Sequence, residues 1–158
     1  MTGKIRMGLV VAGLALTLTM SAGAQMAIPH AHIYPTVEAA RTDIRAALVE
    51  ARRTHKRVLL DFGGDWCGDC QVLNIYFHQS PNAELLAKNF ILVDVNIGQE
   101  DANLDLASKY GVPMPHGVPA LVVLGGDGKV VYAQGKEFSD MRNMQATSVT
   151  EFLNKWKP

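Results

Sequence analysis

The stretch DFGGDWCGDC, residues 61–70, holds both cysteines of a 158-residue chain. Cys67 and Cys70 are separated by Gly68 and Asp69. Such a pair suits a structural clip, half of a metal site or a redox couple. A clip stabilises chiefly by closing a long loop in the unfolded chain, and the loop between these cysteines is tiny. The spacing argues for reactive sulfur, and the flanking sequence decides how that sulfur is used.

Immediately before the stretch, Val58-Leu59-Leu60-Asp61-Phe62 is a nearly continuous apolar run. A run of that length predicts a strand covered on both faces. Gly63-Gly64 ends it, and from Cys67 onward the pattern fits a helix with Val72, Leu73 and Tyr76 or Phe77 inward. Cys67 then falls at a helix N-terminus, where free N–H groups and the helix dipole favour a thiolate. Cys70 lies one turn on, within reach of a mixed disulfide formed at Cys67.

Working outward, Val37, Ala40, Ile44, Ala47, Leu48 and Ala51 recur at helical spacing after Thr36, a candidate N-cap. Ser80-Pro81 reads as the N-cap and first turn of a helix running to about Lys88. Phe90 to Val95 and Ala120 to Leu124 read as buried strands, with a helix from Asp101 to Tyr110 between them. Gly125 to Gly128 is a hairpin turn, Lys129 to Ala133 a returning strand, and Ser148 to Trp156 a closing helix. Alternating strands and helices predict parallel pairing, with the hairpin adding an antiparallel edge. Asp94 reads as a hydrogen-bonded structural group near a strand end. No carboxylate pair, phosphate loop or serine elbow is visible, and no cofactor is expected.

The chain has equal numbers of acidic and basic residues, 15 of each, which excludes a basic footprint for nucleic acid. Its first 24 residues read as an export leader. Lys4 and Arg6 precede the uncharged apolar run from Gly8 to Met20, and Ala22-Gly23-Ala24 fits a cleavage site. The expected organisation is a signal peptide over 1–24, an N-terminal segment over 25–35 and one domain over 36–158, exported to the periplasm or an equivalent compartment.

With the cysteines placed between a buried strand and a helix, DFGGDWCGDC resembles the active-site segment of the thioredoxin superfamily. The element order resembles exported members and the C-terminal domain of membrane thiol-disulfide interchange reductases. The resemblance implies a three-layer α/β fold, with a central mixed sheet and helices on both faces. It implies a protein-disulfide oxidoreductase in which Cys67 is the nucleophile, Cys70 the resolving thiol and Asp61 a buried proton carrier. Trp66 would pack beside the disulfide. Val118 and Pro119 would form the substrate-docking loop, with a cis bond before Pro119. The implied partners are protein disulfides and a membrane-embedded thiol electron donor.

Asp61, Asp65 and Asp69 surround Cys67 in sequence and would oppose its ionisation, which points to a reductase or an isomerase-like member. Two other readings use the same residues. Cys67 and Cys70 with His116 or Met114 form a soft set of the kind copper(I) accepts. A thioredoxin-fold binding module would need no turnover at all. His30 and His32 read as a solvated tail.

Overall fold

The structure, a computed structural model, describes residues 31–112, 117–134, 138, 140 and 145–158. The leader, Met114 and His116 lie outside these residues.

In chain order the elements are α1 (Ala40–Thr54), β1 (Arg57–Gly63), α2 (Gly68–Phe77), α3 (Asn82–Asn89), β2 (Phe90–Asn96), α4 (Leu104–Lys109), β3 (Ala120–Leu124), β4 (Val130–Ala133) and α5 (Ala146–Trp156). The four strands form one sheet in the order β2-β1-β3-β4. β1 and β2 are parallel, whereas β3 is antiparallel to both β1 and β4.

The antiparallel β1–β3 pair corrects the expectation of parallel pairing. The six residues of α4 rise only about 9 Å at about 1.5 Å each. β2 has seven residues and spans roughly 20 Å at about 3.3 Å per step. α4 alone does not carry the chain back along β2. β3 starts at the end where β2 stops, and Ala120 pairs with Phe62. Between β1 and β2, by contrast, α2 and α3 together make the full return.

Alternation along β1 divides the core. Val58, Leu60 and Phe62 meet Ile44, Ala47 and Ala51 of α1 and Leu106 of α4. Leu59 meets Leu73 and Phe77 of α2 and Val149, Phe152 and Leu153 of α5. Each such aliphatic or aromatic side chain, fully withdrawn from water, contributes roughly 1.5–3 kcal/mol. The result is the expected α/β fold, with helices on both faces of a mixed sheet.

Two helix starts differ from the sequence reading. Thr36 accepts the Ala39 N–H through its carbonyl in a preceding turn, and α1 begins only at Ala40. Ser80 gives its hydroxyl to the Glu84 carboxylate, and Pro81 takes the N-cap position of α3. α4 is also shorter than Asp101 to Tyr110, because Asn103 turns left-handed (φ 54°) just before it.

Candidate active site

β1 delivers Asp61 to the sheet centre, and the turn after Gly64 delivers Cys67 to the start of α2. Cys67 and Cys70 are joined by a disulfide. Cys67 is the N-cap of α2, and its sulfur accepts the Cys70 N–H at 3.1 Å. That N–H and the helix dipole also favour a thiolate there once the bond is reduced. Cys67 is 6% exposed and Cys70 is 0% exposed, so the two sulfurs differ in access.

Across from the disulfide, the Val118 carbonyl oxygen lies 3.6 Å from Cys67 Sγ. The Val118–Pro119 bond is cis. Pro119 is buried, and its carbonyl accepts from Gln134 Nε2 at 3.1 Å. Gln134 Oε1 accepts the Leu121 N–H at 2.9 Å, so one buried side chain ties the loop to the start of β3. Trp66 is 41% exposed and donates its indole N–H to the Gly98 carbonyl. Trp66, Cys67, Asp69, Glu100, Gly117 and Val118 line an open groove of about 310 Å³. Glu100 comes from the turn after β2 and gave no signal in the sequence.

Asp61 is 1% exposed. Its Oδ2 accepts the Tyr34 hydroxyl at 3.0 Å, and its Oδ1 has no partner among the described residues. Directly opposite in the parallel β1–β2 register stands Asp94. Asp94, toward the end of β2, therefore stands beside Asp61, and the two form the carboxylate pair that the sequence hid. Both carboxyls are held well above the ordinary carboxylate range. For Asp61 the causes are burial and then the Asp94 charge, with the Tyr34 hydrogen bond pulling the other way. Asp94 is pushed up to about 6, chiefly by burial.

Asp65 behaves differently. Partial burial works against its charge, but the N–H groups of Tyr34 and Ile33 and the His32 ring outweigh it and hold its carboxyl low. Its Oδ1 accepts the Ile33 N–H at 2.8 Å and the Tyr34 N–H at 3.0 Å. Asp65 thus fastens the segment before α1. His32, expected in a solvated tail, is exposed yet paired with Asp65.

Of the expected site residues, Cys67 and Val118 meet directly, and Trp66 shares their groove. Cys70 and Asp61 lie beneath. Sequence reasoning missed Tyr34, Asp94, Gln134 and Gln71, because each is brought in by tertiary contacts with no local motif. Among the described residues no group of three or more His, Cys, Asp or Glu stands together as a metal site.

A model of the thioredoxin-like family matches residues 39–126. The disulphide isomerase of Xylella fastidiosa Temecula1 is 38% identical, with a TM-score of 0.73 over 79% of this chain and 98% of that one. The thiol:disulfide interchange protein DsbD of Pseudomonas fluorescens is 27% identical over 130 residues. That match covers 80% of this chain but only 20% of DsbD, so the chain spans about a fifth of that relative's length. The reduced C-terminal domain of Neisseria meningitidis DsbD, at 24% identity and a TM-score of 0.54, covers 75% of this chain and shares its fold. With a family match over more than half of the chain, and a cysteine pair bonded at the mouth of a groove, the protein belongs to the thioredoxin-like family.

Proposed function

We propose that the protein is an exported oxidoreductase of reductase or isomerase type, acting on protein disulfides in the periplasm or an equivalent compartment. The observation that carries this reading is the unequal burial of the two sulfurs at the start of α2. Cys67 faces the groove and the Val118 carbonyl, while Cys70 is sealed beneath.

In the proposed cycle the Cys67 thiolate attacks one sulfur of a substrate disulfide. That S–S bond breaks, and the departing substrate sulfur leaves with the electron pair. The substrate backbone lies along the Val118-Pro119 loop, with Trp66 at its side. Cys70 then gives its proton to Asp61 and attacks Cys67 Sγ. The mixed disulfide breaks, the second substrate sulfur is released and takes a proton, and the Cys67–Cys70 disulfide is left. Its return to the dithiol needs two electrons and two protons. A membrane-embedded dithiol protein, of the kind the likeness to DsbD suggests, is the proposed source.

The carboxylates of Asp69 and Glu100 in the groove support the reductase side of the reading, because nearby negative charge disfavours a thiolate at Cys67. A strong oxidant in this fold instead holds its reduced form as a stabilised thiolate. The leader over 1–24 supports export. The direct test is reduction of a protein disulfide by the chain with a chemical dithiol as electron source. Activity abolished by Cys67→Ser is the expected result. Activity that survives the substitution would remove the reading.

A further inference from the structure

Residues 31–35, read from the sequence as part of an N-terminal segment, are tied along their length to the active-site turn, to α2 and to the end of β2. Gln71 holds Ala31 from both sides, accepting its N–H at 3.0 Å and donating to its carbonyl at 3.0 Å. The same amide donates to the Asp65 carbonyl at 3.0 Å. Asp65 takes the N–H groups of Ile33 and Tyr34. Asn96 Nδ2 donates to the Pro35 carbonyl at 2.7 Å. Gln71 is itself buried, at 5% exposure.

These bonds drive Tyr34 fully into the protein, where its hydroxyl donates to Asp61 Oδ2. Gly63 leaves the room. A Cβ on Gly63 would collide with the Tyr34 hydroxyl and stand 2.8 Å from Cys70 Sγ. The phenol and the resolving sulfur therefore converge on one spot that only glycine leaves open, and the same hydroxyl carries the hydrogen bond to Asp61.

From this geometry we infer that Tyr34 is a positioning residue for the second half of the reaction. It holds Oδ2 of Asp61 so that Oδ1 is the oxygen open to the Cys70 proton. The inference rests on the oxidoreductase reading and deepens it. The step balances: the Cys70 S–H bond breaks and the proton passes to Asp61, directly or through one water. The new thiolate bonds to Cys67 Sγ, and the pair of the old Cys67–sulfur bond leaves with the substrate sulfur.

Tyr34 suits the task because burial, first, and the charges of Asp61 and Asp94 hold its own ionisation well above the ordinary range. It stays protonated and remains a donor throughout the working pH range. The titratable groups set against Asp61 are Tyr34 from the N-terminal segment and Asp94 from β2, while Cys70 of α2 meets the Tyr34 hydroxyl across the space at Gly63. β3 presents Leu121 in register, which does not titrate. Asp65 and His78 act on the pair from further off, through Asp94. Of these, only Tyr34 donates a hydrogen bond to Asp61. Without it, Asp61 would ionise less readily.

The test is two-phase release of nitrothiobenzoate from the aromatic disulfide dithiobis(nitrobenzoate). The reduced full chain is mixed with one equivalent by stopped flow across a pH series. Cys67 attack releases the first thiolate, and Cys70 attack on the mixed disulfide releases the second. Tyr34→Phe, which removes only the hydroxyl, is expected to leave the first phase unchanged. The second phase should slow about tenfold at neutral pH and its midpoint should move up, the scale set by a hydrogen bond to a charged group. In an Asp61→Asn background the same substitution should have no further effect, since the two residues act as one unit. An unchanged second phase, an equal change in both phases, or a full effect persisting in Asp61→Asn would each overturn the inference. Failure of the unaltered chain to release the second thiolate would defeat the oxidoreductase reading itself, and the inference with it.

Discussion

Asp61 and Asp94 stand directly across from each other on adjacent parallel strands, the first fully buried and the second half-buried. The folded-state pKa of Asp94 is raised to about 6 from 3.8. Stability from its protonated form is therefore complete below the unfolded value and lost as pH rises through about 6. Asp61 is raised in the same sense. Asp94→Asn is expected to flatten the decline and to be the more stable protein at pH 8, by on the order of 3 kcal/mol. Urea midpoints measured from about pH 4 to pH 8 check it. Parallel slopes for both proteins would refute it.

The unequal exposure of Cys67 and Cys70 sets an order of reactivity. In the reduced protein, iodoacetamide is expected to label Cys67 at least about tenfold faster than Cys70, because Cys67 lines the groove and Cys70 is fully buried. Mass spectrometry of partially labelled protein measures the ratio. Faster labelling of Cys70 would reverse their assigned roles.

At Gly63 the missing side chain is what lets the Tyr34 hydroxyl, bonded to Asp61, approach Cys70. Gly63→Ala is expected to destabilise the fold by about 1–3 kcal/mol, the range for overpacking. It should also slow the Cys70 step, because the tyrosine hydroxyl is displaced. Thermal melting and the nitrothiobenzoate phases measure the two effects separately. A fully stable variant with unaltered kinetics would show that the site is looser than the contacts indicate.

Much of this architecture was legible, and the reasons are local. The runs around Leu59 and Val122 are apolar on consecutive residues, as strands buried on both faces must be. The Asp61-to-Cys70 stretch places one cysteine before a helix and the other a turn inside it, and both follow from sequence distance alone. Tyr34 was hidden because its position depends on side chains 31 and 37 residues further along, Asp65 and Gln71, with no periodicity to connect them. Asp94 was hidden because pairing with Asp61 is a matter of register between strands. The direction of β3 was hidden because no local pattern says at which end of β2 it begins, and the left-handed Asn103 just before α4 gave no sequence signal either.

Buried Asn82 ties together elements that close the sheet face opposite α1. Its Nδ2 donates to the Tyr76 carbonyl at 3.0 Å and the Ala146 carbonyl at 3.2 Å, and its Oδ1 accepts the Thr150 hydroxyl at 2.6 Å. Asn82→Ala strands those partners and is expected to cost about 2–3 kcal/mol. Denaturant unfolding gives the loss. Because Asn82 is at the start of α3, away from the groove, disulfide reduction per folded molecule should be unchanged. A selective loss of activity would contradict that separation.

The equilibrium redox potential of the Cys67–Cys70 couple tests the central claim most directly. Titration against glutathione buffers, read by trapping free thiols, supplies it. With Asp69 and Glu100 in the groove beside Cys67, the expected value lies near about −270 mV, in the reducing range of this fold. A value near about −120 mV, at the strongly oxidising end, would contradict the reductase reading and make the protein a donor of disulfides.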